Sequence, residues 1–145
     1  MVASQRWRNN ATAVAPVGAV HVHVGRSSAT RSGAAESLRG LTPGTPVVVS
    51  ASAPGAIRRC RRVAAEAGVD LEREYLAFPS ASSPAFLVED APSTIRLFVD
   101  TTLITPPRAS FSTPIEGCLG LLRQVRPWRV LRRIAPGRVV VGTRA

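Results

Sequence analysis

The sequence contains no lysine: its nineteen basic side chains are all arginine, set against nine carboxylates. Aromatic residues are also scarce, at 5% of the chain, so a core has to be built from valine, leucine, isoleucine and alanine. Only two cysteines occur, Cys60 and Cys118. They are far apart and flanked by no metal-ligand spacing, which predicts buried free thiols in a cytoplasmic protein. No apolar run approaches the ~18–20 residues that cross a bilayer. Residues 11–24 are interrupted by Pro16, Gly18 and His21, so the compact apolar stretch of a secretory signal is missing as well. These absences predict a cytoplasmic location. The two histidines form an H-x-H pair, His21 and His23, which on a strand share one face. No nearby carboxylate or cysteine offers a third ligand, so no metal site is expected. Both histidines sit in one early segment with nothing to place them near a nucleophile, so no residue is assigned a catalytic role.

What is present suits one small domain. The chain has 145 residues, 45% of them apolar, enough to bury a core. Its net charge of +10 has two readings. Guanidinium forks match phosphate geometry, so the arginines could form a surface for an anionic partner. A GC-rich coding sequence would equally enrich arginine, alanine, glycine and proline. A nucleic-acid binder should show stacking aromatics or a docking motif near its arginines; none is visible, and nucleic acid is disfavoured.

Along the chain, residues 1–18 read as a disordered tail. Residues 19–24 alternate as a strand, 25–33 as a loop and 34–41 as a short helix, with Pro43–Gly44 as a turn. Pro46 opens a strand through Val47, Val48 and Val49, a β-branched run typical of strands covered on both faces. Ser50 and Ser52 follow, with Pro54 suited to a first helical turn. Over residues 55–67, Ile57, Cys60, Ala64 and Ala67 make one helical face, and Gly68 closes the helix. Residues 75–78 and 85–88 read as an antiparallel hairpin joined by the loop 79–84. Residues 95–104 fit a strand or a helix, and Pro106–Pro107 ends them. Residues 115–134 carry a helical stripe of Leu121, Val125, Trp128, Leu131 and Ile134, bordered by arginines and kinked or broken at Pro127. Residues 138–142 read as a last strand. The expectation is an α/β fold: one small domain over residues 19–145, partly Rossmann-like, with a mixed sheet built on a strand–helix–antiparallel hairpin unit. Residues 106–145 supply its basic amphipathic helix and last strand.

The order Leu41-Thr42-Pro43-Gly44-Thr45-Pro46-Val47-Val48-Val49-Ser50, then Ala65-Glu66-Ala67-Gly68-Val69, then Tyr75 to Ser80 and Pro84 to Asp90, resembles a known family. It is similar to the late part of class I S-adenosylmethionine-dependent methyltransferases, in particular methyltransferase-like proteins encoded with surface-polysaccharide genes in actinobacteria. There a Pro-Gly turn precedes a late strand, a helix ending in Ala-Gly follows, and the closing strands pair antiparallel. The resemblance covers about residues 19–105. It implies S-adenosylmethionine as cofactor, a link to cell-envelope polysaccharide or glycolipid synthesis, and a partner protein that completes the domain. The family's cofactor loop needs several glycines after an early strand and an acidic residue at the end of the next. Val24-Gly25-Arg26-Ser27-Ser28 has one glycine, and the first acidic residue is Glu36. The chain is therefore expected to be inactive alone.

Three groups of residues are candidates. Ser50, Ser52, Gly55, Arg58 and Arg59 lie at a strand end and helix start, where α/β sheets hold ligands and anions; the alternative is plain helix capping. By the family resemblance, Tyr75, Ser80, Ser82 and Ser83 would line a substrate mouth; the alternative is a turn. Arg123, Arg126, Trp128, Arg129 and Arg133 border an apolar helical face that suits the surface of an anionic membrane, giving a peripheral location; the alternative is a helix packed on the sheet with its arginines in solvent.

Overall fold

The alternation of Val20, His21, Val22 and His23 makes a short strand, β1 (Val20–His23), with valines on one side and histidines on the other. The structure, a computed structural model, describes residues 14–82, 84–102 and 127–145. The expected tail over 1–13, together with Ser83, Cys118 and the stretch from Leu121 to Arg126, lies outside the described residues. Residues 14–18 are not tail-like: they form a turn closed by the Ala19 N–H on the Pro16 carbonyl at 3.2 Å, with Ala15 buried.

The next element, α1 (Ser28–Arg39), is longer than the helix expected over 34–41, and it absorbs most of the expected loop. The reason is local. The Ser27 hydroxyl accepts the Thr30 N–H at 3.2 Å and so starts the helix six residues earlier than the apolar pattern suggests. Strand β2 (Pro46–Ser52) carries the valine run and is buried along most of its length. Helix α2 (Ala56–Ala67) buries Ala56, Cys60, Val63, Ala64 and Ala67. It ends at Gly68, whose φ of 65° lets its N–H reach back to the Ala64 and Ala65 carbonyls. Strand β3 (Val69–Phe78) begins directly after that cap and takes in the four-residue stretch expected at 75–78. Strand β4 (Phe86–Glu89) follows, then α3 (Pro92–Thr101), which resolves the strand-or-helix ambiguity in favour of helix. Helix α4 (Pro127–Ile134) has Pro127 at its first position, where a missing N–H costs nothing. Strand β5 (Gly137–Arg144) closes the described chain.

The result is a small mixed α/β domain with a five-stranded sheet in the order β1-β2-β5-β3-β4. β1 and β2 run parallel, while β5 is inserted antiparallel between β2 and β3. One apolar cluster joins α1 and α2 to one sheet face through Val47, Val49, Ala51 and Val140. The opposite face carries Val48, Tyr75, Ala77, Val139 and Val141 with Ala15. The chain gathers into two compact units, Met1–Leu87 with Ala135–Ala145, and Val88–Ile134. In the second unit α3 and α4 pack on one another, and Arg132 bonds to the Asp90 carboxylate.

Candidate functional site

The parallel register of β1 and β2 sets His23 opposite Ser50. The His23 Nδ1 lies 3.1 Å from the Ser50 Oγ. The sequence reading expected no histidine near a hydroxyl nucleophile, and the pairing arises only because residues 27 positions apart meet across the sheet. Ser50 is only 1% exposed, so its hydroxyl orients the imidazole and is out of reach of a substrate. His23 has its pKa lowered, first by burial and second by the Arg59 guanidinium, and its ring is held neutral below the usual histidine range.

Beyond β2 the chain turns through Ser52, Ala53 and Pro54 to α2, and arginines take up all three carbonyls of that turn. Arg59 Nη1 donates to the Pro54 carbonyl at 2.5 Å, and its Nη2 donates to that of Ser52. Arg26 Nη2 donates to the Ala53 carbonyl at 2.6 Å, while the Arg26 carbonyl accepts Arg31 Nη1 at 2.8 Å. The capping expected of Ser50 and Ser52 is not what starts α2: both lie within β2, Gly55 is the cap residue, and no side chain bonds to the first turn. Pro54 precedes the helix for the same reason. Of the expected anion ligands, Arg59 is committed to the turn, whereas Arg58 is exposed and makes no ion pair with a described carboxylate. The sequence carried no signal for the Arg59 clamp, because carbonyl positions depend on the turn geometry.

Tyr75 belongs to the apolar cluster on the second sheet face and is buried, so it does not line an open mouth. Ser80 and Ser82 share the loop after β3 with their hydroxyls 3.4 Å apart, and Ser83 is outside the described residues. On α4, Leu131 is buried and Trp128 half-buried, but Ile134 is 61% exposed. The expected apolar stripe is therefore split at its end: Ile134 faces out beside Arg129, Val130 and Arg133. Arg123 and Arg126 lie outside the described residues.

Cys60 is buried on α2, with its Sγ 3.8 Å from the Val49 carbonyl. Among the described residues, no three His, Cys, Asp or Glu side chains gather as a metal site, and no helix is long and apolar enough to cross a membrane. The strand-end loop also does not fit S-adenosylmethionine. A Cβ on Gly25 would stand 2.6 Å from the Thr30 Oγ1, so the bare glycine makes room for α1's own side chain rather than for a ligand. No family model, curated protein or solved structure matches the chain.

Proposed function

We propose that the chain is a methyltransferase-like protein connected with cell-envelope polysaccharide or glycolipid synthesis, and that its described residues do not by themselves bind the methyl donor. In this reading it works in the cytoplasm at the membrane periphery, and a partner protein contributes the cofactor-binding half. One observation supports the reading: the order of elements around the sheet. The Pro43–Gly44 turn leads into β2, α2 ends at Ala67–Gly68, and β3 and β4, which hold the two segments read as the closing hairpin, are neighbours in the sheet. Calorimetric titration with S-adenosylmethionine is expected to give no heat with this chain alone. Micromolar binding would overturn the non-catalytic part of the proposal. An experimental structure in which residues 75–78 and 86–89 do not pair antiparallel would overturn the methyltransferase-like part.

A second reading, a non-enzymatic module for an anionic partner, is favoured by a different observation. Arg58 and Arg62 are exposed one turn apart on α2, and neither is paired with a described carboxylate. Nearby Arg61 is held by Glu74 through two contacts of 2.7 and 2.9 Å and is not available in the same way. Binding of this kind should weaken steeply with salt, because released counterions supply its free energy. A flat salt dependence between low and physiological ionic strength would remove this reading.

A further inference from the structure

We infer that the outer face of α4 docks on an anionic lipid surface. The inference rests on the anionic-partner reading for the kind of partner only, and places the contact on α4 rather than on Arg58 and Arg62 of α2. Helix α4 buries Leu131 and turns Arg129, Val130, Arg133 and Ile134 outward. These four make two adjacent rows one helical turn long, Arg129 with Arg133 and Val130 with Ile134. Val130 is 37% exposed and Ile134 61%, so the two aliphatic side chains lie side by side at the surface. Neither Arg129 nor Arg133 meets a carboxylate among the described residues, whereas Arg132, on the same helix, is held by Asp90. Helix α4 itself contains no acidic residue.

Aliphatic side chains beside guanidinium groups that no described carboxylate pairs match the interface of a bilayer with anionic headgroups. The aliphatics enter the boundary between headgroups and acyl chains, and the arginines take phosphate oxygens. A second copy of the chain fits poorly, since it would bring two arginine rows against each other. Nucleic acid fits poorly as well. The aromatic side chain of this helix, Trp128, is half-buried rather than offered for stacking, and a phosphate backbone gains nothing from Val130 or Ile134.

Sedimentation of the full chain with vesicles tests this. At low salt the protein is expected to pellet with phosphatidylglycerol vesicles and to stay in the supernatant with phosphatidylcholine. The double variant R129Q/R133Q should weaken that partition about thirty-fold, and Ile134→Ser roughly tenfold. R129K/R133K, which keeps the charge, should hold most of it, and circular dichroism shows which variants are folded. R58Q/R62Q should pellet as the wild type does. Three results would overturn the inference. One is failure to pellet with anionic vesicles. The second is loss of pelleting in R58Q/R62Q with R129Q/R133Q unaffected, which would leave the anionic-partner reading standing on α2 alone. The third is tighter binding to duplex DNA than to vesicles.

Discussion

Cys60 shows what burial does to a single titratable group in this chain. Its thiol is fully buried and rises from an ordinary 9.0 to about 12, chiefly through desolvation, with Arg59 opposing that shift in part. The thiolate is the reactive form, so Cys60 should resist iodoacetamide at pH 8 in the folded protein and react once denaturant is added. Mass spectrometry of the alkylated peptide reads this directly, and rapid native labelling would show that the α2–β2 packing is looser than described. The linkage follows. Between pH 9.0 and about 12 the unfolded chain loses this proton and the folded chain keeps it, so stability is full below 9.0 and falls as pH rises through that window. The histidines act in the opposite sense. His21 and His23 both have pKa values lowered from 6.5 by burial, so their contribution to stability is present above pH 6.5 and is lost as pH falls below it. Arg59 is the second cause for His23 and no stated cause for His21. Arg59→Gln should therefore raise the NMR titration midpoint of His23 toward 6.5 and leave that of His21 in place; equal movement of both would argue against the Arg59 contact. Gly142 marks a close approach. It faces Leu71 where the β3 register slips between Leu71 and Arg73, and a Cβ there would run into the Asp70 carbonyl. Gly142→Ala should destabilise by about 1–3 kcal/mol, seen as a lower melting temperature.

At the scale of elements, the start of α1 rests on one hydroxyl. Ser27→Ala removes the bond to the Thr30 N–H and should cost about 1 kcal/mol, measured by denaturant midpoint; an unchanged midpoint would mean that the first turn is held by other contacts. The capping signal was present in the sequence, but the serine- and threonine-rich stretch with Gly33 reads more readily as loop. By contrast, α2 was legible almost to the residue. Cys60, Ala64 and Ala67 recur at helical spacing, and Gly68 ends the pattern where a left-handed residue is needed. The valine run of β2 was equally plain, since buried β-branched residues in series fit a strand with neighbours on both sides. The full length of β3 was not legible. After the buried Val69, the stretch Asp70–Arg73 is exposed, with Leu71 its one apolar side chain, and it is held in the sheet by backbone pairing with β5 rather than by an apolar pattern of its own.

For the whole molecule, the sheet order depends on pairings between residues far apart in the chain, which local patterns do not encode. The valines of β5 announced a strand, but nothing local could say that it sits between β2 and β3. The candidate site suffers from the same limit. The residue types at the end of β2 were readable, whereas the His23–Ser50 pairing and the Arg59 clamp require the β1–β2 register and the course of the turn. Because β5 pairs along its length with both neighbours, a chain ending at Ala135 should lose cooperative unfolding of the sheet. Circular dichroism would check this, and a sharp transition in the shortened protein would show that β2 and β3 can close on one another. The position of β5 also has a consequence for biosynthesis. The middle of the sheet is the part translated after all four of its other strands, so while the ribosome is still delivering residues 137–144, β2 and β3 each present a bare edge able to pair with a neighbouring nascent chain. Chaperone capture during that interval, or slow elongation over the codons of β5, would then govern the yield of native protein more than its equilibrium stability does.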